Sequence, residues 1–357
     1  MYVTAGNESC DMDSIASALA HAYMVSQTLQ DNAFSIPLLQ CNRADLRLRQ
    51  DVVWLLNELD IDPDILIYQD DLSAEKLSSI DELSVTLVDH NSPKGLLEIF
   101  KSKITKVIDH HDKSEDTVSG DGIDVVIEGV GSCSTLVAER ILGDSTGTVD
   151  KKLATLLLAG ILLDTGDLKL QGRVTDKDNT VVQQLLQQVP SDIDRAQFYR
   201  KLFELRFDIT QLTTLEVLRK DFKVTQIDNT YTLGFCTVSS LLSKFLKRSN
   251  ISQDLTVFYN THNLDALLLL GVYVSDFEGT KKQRQIAIFR PSSESSSLPV
   301  PHLLESLASV LEDDPDLKCD RILEKIESFD GVLLEQGNVA MARKQIIPII
   351  TKFVASV

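Results

Sequence analysis

Short apolar runs and longer amphipathic stretches alternate along the first part of the chain. Runs of strand length fall at 1–5, 36–39, 65–68 and 85–88, in the stretch through Ile104, Val107 and Ile108, and at 124–127. Between them, Ile15, Ala18, Leu19, Ala22 and Tyr23 recur at helical spacing, as do Leu48, Val52, Leu55, Leu56 and Leu59. Strands alternating with helices predict an α/β domain built on a doubly wound, mostly parallel sheet. From 134 to about 207 the pattern is mainly helical. An apolar stretch at 153–163, interrupted by Thr155, reads as a helix too short to span a bilayer.

After 207 the pattern changes. Runs at 222–226 and 230–238 flank Asp228-Asn229 and read as a hairpin. Helices are expected at 239–247 and 253–260, and a second strand pair at 266–274 and 284–289. Lys281-Lys282-Gln283-Arg284 reads as a turn or loop, and the Ser/Pro-rich 291–301 as a surface loop. Helices at 302–311 and 345–357 close an α+β domain with a mixed sheet. Residues 1–207 and 208–357 are thus expected to be two domains, without a Pro/Gly-rich linker between them.

Polar residues gather where strands or helices end. The run through Ile108 leads into Asp109-His110-His111-Asp112. Asp11 and Asp13 follow the first strand, Asp89-His90-Asn91 follows the fourth, and Asp164-Thr165 follows the apolar helix. Each has an ordinary explanation. Asp11, Asp13 or Ser14 could cap the first helix, and Asp89 could close a turn. Asp164 is harder to explain, because a carboxylate at a helix C-terminus opposes the macrodipole unless a cation lies nearby. Ligands of open α/β sheets bind at the carboxyl ends of strands. Carboxylates joined by a few imidazoles suit Mg, Mn or Co better than structural zinc. Two such ions would make a phosphoryl-hydrolase site. No His-Glu-x-x-His signature or serine nucleophile elbow points to other hydrolytic chemistry.

Composition changes this picture in two ways. The 357 residues carry 53 acidic against 35 basic side chains, a net charge of -18, which argues against binding a nucleic-acid polymer. An anionic substrate therefore needs metal ions and local basic groups, for which Arg343-Lys344 and the stretch from Arg219 to Lys223 are candidates. The five cysteines are scattered and odd in number, without a Cys-x-x-Cys. With no secretory pattern or membrane span, they point to a reducing, cytoplasmic setting.

The ordered motifs Asp11-x-Asp13-Ser14, Asp89-His90-Asn91, Asp109-His110-His111 and Asp164-Thr165 resemble those of the DHH phosphoesterase superfamily. The tail Ala342-Arg343-Lys344-Gln345 resembles the Ser-Arg-Lys motif of its DHHA2 subgroup, which contains manganese-dependent pyrophosphatases, cytosolic exopolyphosphatases and Prune proteins. The resemblance implies a DHH domain and a DHHA2 domain with the active site in the cleft between them. It implies two divalent ions, Mg or Mn or Co, on Asp11, Asp13, Asp89, His110 and Asp164, with Asp89 bridging. His111 would face phosphate, Asp109 and His90 would orient neighbours, and Lys223, Arg343 and Lys344 would grip phosphate.

Asn7 stands where the pyrophosphatases have a histidine ligand, which resembles the exopolyphosphatase and Prune pattern and shifts one metal site toward Mg. Prune proteins commonly carry Asp-His-Arg at the Asp109-His110-His111 position, although the segments 131–137, 218–221 and 245–250 resemble Prune strongly. The long partner-binding tail of vertebrate Prune proteins is expected to be absent. The expected activity is hydrolysis of terminal phosphoanhydride bonds of inorganic polyphosphate. The alternatives are a short-chain polyphosphatase or cyclic-nucleotide phosphodiesterase, then a pyrophosphatase, and last a scaffold without catalysis.

Overall fold

In the computed structural model, six N-terminal runs pair into one sheet. The structure describes residues 1–30, 32–80, 82–113, 115–143, 149–227, 230–277, 281–291, 303–322 and 331–355. The strands are β1 (Tyr2–Ala5), β2 (Ser35–Leu39), β3 (Ile67–Tyr68), β4 (Ser84–Val88), β5 (Ile104–Asp109) and β6 (Asp124–Ile127). They lie in the order β3-β2-β1-β4-β5-β6, and every neighbouring pair is parallel. The chain steps outward from β1 to β3, then returns to lay β4 on the other side of β1. Loops leaving β1 and β4 therefore diverge, which opens a crevice at their carboxyl ends.

Side-chain alternation gives the sheet two buried faces. Val3, Ala5, Val85, Leu87 and Val107 join Leu77, Leu97 and Phe100 in one core. Val88 and Ile108 join residues of helices Met12–Thr28, Cys133–Gly143, Lys151–Thr165 and Asp176–Leu185 in the other. Lys151–Thr165 is buried on nearly every side, as its continuous apolar sequence requires. It stops at Gly166, whose φ of 59° is the left-handed cap glycine adopts at little cost. Among the described residues, no helix is long and apolar enough to cross a membrane.

Local details depart from the sequence pattern. The first helix starts at Met12, and of the three candidate caps Asp11 takes the position. The predicted helix over 46–59 is a 3₁₀ segment, Arg43–Leu48, followed by the helix Gln50–Glu58. Only Ile67 and Tyr68 of the 65–68 run enter the sheet.

The chain divides into two compact units, Met1–Arg206 and Phe207–Val357. The second holds β7 (Phe222–Ile227), β8 (Tyr231–Val238), β9 (Ala266–Val274), β10 (Lys282–Phe289), β11 (Cys319–Arg321) and β12 (Gly331–Gln336). Their order is β11-β12-β10-β9-β8-β7, with β8 and β9 parallel and the other pairs antiparallel. The mixed sheet is thus present, with two strands the sequence pattern did not reveal. Lys282, Gln283 and Arg284 belong to β10, opposite Val274, Tyr273 and Val272, not to a loop. Strand pairing uses backbone groups, so the basic side chains do not prevent it. The predicted helix over 239–247 is one turn, Leu242–Phe245, and the closing helix begins at Arg343. Asp228-Asn229, His302 and most of the 291–301 loop lie outside the described residues.

Gly160 sets how closely the buried helix approaches the first one. A Cβ there would lie 2.5 Å from Ser134 Oγ and 3.2 Å from the Asp13 Cα. Gly160→Ala is expected to lower stability by roughly 1–3 kcal/mol, the usual cost of overpacking, as read by urea unfolding. Unchanged stability would show that the helices have room to part.

Candidate metal centre

Asp13 lies one residue inside the first helix and is almost fully buried. Because Asp11 takes the cap, accepting from the Ser14 N–H, the Asp13 carboxylate is free to turn toward the start of helix Cys133–Gly143. There it accepts from the backbone N–H groups of Cys133 and Ser134, each at 2.7 Å, and from the hydroxyls of Ser132 at 2.7 Å and Ser134 at 2.5 Å. A helix N-terminus presents unpaired N–H groups and a positive dipole end, which suit a carboxylate.

Asp89 follows β4 with a φ of 63°, a left-handed conformation that a side chain other than glycine seldom adopts. Its carboxylate is nearly fully buried. The Asn7 amide donates to Asp89 Oδ2 at 2.7 Å and to its carbonyl at 3.2 Å, while Asn7 Oδ1 accepts from Ser9. Asn7 thus turns its NH₂ toward the acidic centre and holds Asp89. Burial, and next the charge of Asp13, push the Asp89 carboxyl well above the usual range.

His110 joins the carboxylates. Its Nδ1 donates to the Val130 carbonyl at 3.1 Å, which directs Nε2 at Asp89 Oδ1, 3.3 Å away, and Asp13 Oδ2, 3.7 Å away. This ring orientation leaves Nε2 available to a metal. Burial opposes a charge on the ring, but the Asp89 hydrogen bond and the Asp13 charge outweigh it and raise the imidazole to about 10.

Asp164 sits in the last turn of the buried helix. Burial and the Asp13 charge raise it to about 7, although Arg206, 3.4 Å away, pulls the other way. The cation expected near this helix end is therefore present as a guanidinium, yet the carboxyl still lies well above its ordinary value. The cluster remains short of positive charge.

Asp109 is fully buried but differently surrounded. It accepts from Asn91 Nδ2 at 2.7 Å, the His110 N–H at 2.8 Å, the His111 N–H at 3.1 Å and His111 Nδ1 at 2.9 Å. Burial works against the anion, but the His111 hydrogen bond and its companions hold the carboxyl below the usual range. Asp109 thereby fixes the His110-His111 turn and the His111 ring. The His111 side chain is half exposed, and its edge-on contact with His110 places the ring centroids 4.3 Å apart.

Among the described residues, two groups of side chains bring donor atoms close enough to hold a metal: Asp89, Asp109, His110 and His111, and Asp13, His110 and Asp164. His110 belongs to both. Carboxylates with a correctly oriented imidazole and a deficit of positive charge fit a divalent cation. Asp11 is outside both groups.

Other candidates have separate surroundings. His90 Nδ1 donates to the Val88 carbonyl at 2.9 Å, and its Nε2 lies 3.4 Å from the Gln40 amide, which also donates to the Gly6 carbonyl. Burial lowers its pKa. His90 thus ties together the ends of β1, β2 and β4. Lys223 lies on β7 and Lys344 is exposed in the second unit. Arg343, which starts the helix Arg343–Val354, reaches the Asp221 carbonyl at 3.0 Å and its carboxylate at 2.9 Å. Sequence reasoning did not assign roles to Ser132, Ser134, Asn91 or Arg206. The Ser-Cys-Ser before an apolar helical pattern was the available signal for the Asp13 cradle.

The chain is similar to known proteins in sequence and in fold. The model of the DHH family, N-terminal domain, matches residues 2–161, and the DHHA2 domain matches residues 200–353. Exopolyphosphatase PRUNE1 from Rattus norvegicus is 33% identical over 98% of this chain and 74% of its own length. A manganese-dependent inorganic pyrophosphatase from Methanothrix thermoacetophila is 26% identical over 76% of this chain and 80% of its own length. In fold, the chain is similar to a solved Methanococcus jannaschii structure described as a candidate family II inorganic pyrophosphatase, with a TM-score of 0.61, 19% identity and 99% coverage of both chains. The chain belongs to the DHH family, its DHH domain followed by a DHHA2 domain, as in the Prune exopolyphosphatases.

Proposed function

We propose that this protein is a divalent-metal-dependent exopolyphosphatase that releases orthophosphate from the ends of inorganic polyphosphate. The observation that carries this reading is the meeting of Asp13, Asp89, His110 and Asp164 at the sheet's switch point. The proposed occupants are two ions, Mg or Mn or Co, held by Asp13, Asp89, His110 and Asp164, with Asp11 adding a ligand after release from its cap. Such ions neutralise phosphoryl oxygens and acidify water for in-line attack.

The chain's own groups supply orientation. The Asp13 carboxylate is locked by the helix N-terminus, so its donor atoms do not wander when a cation arrives. Asn7 steadies Asp89 from the opposite side. His111, tethered through Nδ1 to Asp109, leaves Nε2 for a phosphoryl oxygen or a proton to the departing phosphate. Lys223, Arg343 and Lys344 are proposed to bind the polyanion. A reducing, cytoplasmic setting fits the five free cysteines.

Asn7 favours polyphosphate over pyrophosphate as substrate, because its NH₂ is turned to Asp89 and is not a metal ligand. The Prune relationship favours a second reading, hydrolysis confined to short polyphosphates or a cyclic nucleotide.

Phosphate release from long polyphosphate, tripolyphosphate, pyrophosphate and a cyclic nucleotide, with Mg or Mn, separates these readings. Long chains shortened from their ends, with Asp89→Ala inactive, is the expected result. Activity confined to short substrates would replace it with the second reading.

His111→Asn is expected to retain stoichiometric metal while kcat falls about 10²–10⁴-fold, the range for loss of an acid or base. Metal analysis and steady-state kinetics test this, and an unchanged kcat would remove His111 from the chemistry.

Metal binding should also release protons. In the metal-free protein, Asp164 binds its proton up to about pH 7, against an ordinary value of 3.8, so the folded state holds more protons than the unfolded state in that window. Stability therefore falls as pH rises from about 4 to 7, and falls further toward pH 10 as His110 loses its proton. A divalent ion must displace these protons, so its affinity should rise with pH. Calorimetry in buffers of different ionisation enthalpy reads the proton count, and a count of zero at pH 6 would contradict the assignment.

A further inference from the structure

The face of the N-terminal sheet beneath the first helix changes character along its strands. Near their carboxyl ends it is apolar, with Val88 and Ile108 in the core. Farther back along the strands the same face carries Thr4, Thr86, Lys106 and Asp124, which are register partners on successive strands β1, β4, β5 and β6. Inner strands of a parallel sheet covered on both faces are ordinarily continuous apolar runs. Thr4, Thr86 and Lys106 on the inner strands depart from that rule, with Asp124 on the edge strand β6 continuing the row, whereas Val3, Val85 and Val107 on the opposite face obey it.

Three members of the row, Thr86, Lys106 and Asp124, floor a pocket of about 390 Å³, within the range of small-molecule sites. Its walls include Tyr2 and Met24, and His21 on the first helix. His21 is 1% exposed, and its Nδ1 lies 2.9 Å from the Thr4 hydroxyl. Among the described residues that hydroxyl has no other acceptor, so it donates to Nδ1 and the ring proton falls on Nε2. Nε2 is buried without a partner. A buried donor left unsatisfied costs about 1–3 kcal/mol, which a bound acceptor would recover.

The sign of the acceptor follows from the charges. Lys106 and Arg140 both act on His21, and with burial they lower it to about 4, so the ring is a neutral donor in a positive field. Arg140 is held near the helix by the Leu136 carbonyl, at 2.6 Å. Asp124 balances Lys106 across 3.1 Å, but its side chain is the more exposed of the two.

We propose that this pocket, at the sheet edge opposite the metal centre, is a second site that binds a small organic anion. Its carboxylate or phosphate head takes the His21 Nε2–H and Lys106, and its short apolar body packs on Tyr2, Met24 and Val25. Met24 is flexible enough to admit the head group to Nε2.

The test uses the metal-loaded full chain with three probes: hexanoate, pentyl phosphate and 1-hexanol. Calorimetry gives affinity, and imidazole ¹⁵N NMR locates the event at His21. At least one anion should bind saturably and shift the His21 signals, with affinity at least about tenfold above that of 1-hexanol. Whichever anion does so identifies the head group. His21→Leu and Lys106→Met should each weaken binding about tenfold without changing metal content or the rate of phosphate release. Saturable binding by neither anion would overturn the proposal, as would equal binding of 1-hexanol, or affinity unchanged in both variants. Should His21→Leu fail to fold, Lys106→Met and the NMR shift decide.

Discussion

Negative charge gathered out of water at the carboxyl ends of β1 and β4 is the constraint on which the N-terminal unit depends. An unpaired buried carboxylate costs several kcal/mol in effective desolvation, and Asp13, Asp89 and Asp164 come together within a few residues of one another in space. The fold meets part of that cost with fixed dipoles. Helix Cys133–Gly143 points its N-terminus at Asp13, the Asn7 amide faces Asp89, and Arg206 approaches Asp164. These groups do not complete the balance, since Asp89 and Asp164 still retain protons well above the ordinary range. A divalent cation would supply the missing charge, which would make the acidic cluster a binding device and the hydrogen bonds around it a means of holding that device open.

Asp89 and Asp109 show how one residue type takes two roles at neighbouring strand ends. Both are buried and both follow apolar strand residues. Asp109 is surrounded by N–H donors from its own turn and from Asn91, so its anion is satisfied within the protein. Asp89 has Asn7, the imidazole of His110 and, farther off at 3.7 Å, that of His111 beside further carboxylates. The first orients; the second awaits a cation. His110 and His111 divide similarly. The Val130 carbonyl turns the His110 ring inward, and Asp109 turns the edge of His111 toward solvent.

Much of this was legible because strand and helix periods are local. All six parallel strands lie where the apolar runs fall, and the motifs at strand and helix ends carried Asp13, Asp89, His110 and Asp164 to one edge. What escaped depended on contacts distant in sequence. Asp13 turns toward the helix start near residue 133, whose N–H groups pull on its carboxylate. The N-terminal helix alone contains no trace of that pull. Arg206 lies 42 residues beyond Asp164 and reads as an ordinary surface cation until its helix folds back. Strand β12 escaped for another reason: Gly331–Gln336 is a short apolar run without alternation, and such a run is ambiguous between strand and helix.

The polar row of β1, β4, β5 and β6 bears on how the sheet divides its work. A core face gains about 25 cal/mol for each Å² of apolar surface removed from water, and Thr4, Thr86 and Lys106 give up much of that gain beneath a helix that could have covered valines. The loss is confined to one face and one edge. The other face of the same strands keeps its apolar core, and the carboxyl half of the same face keeps Val88 and Ile108. A defect of packing would have no reason to follow strand register so closely, nor to collect beside an unpaired imidazole donor. Because the row lies mid-strand on strands that lead into the candidate metal centre, β4 and β5 join the two through a rigid element. An anion seated at the amino edge would stiffen the strands whose far ends carry Asp89, Asp109 and His110.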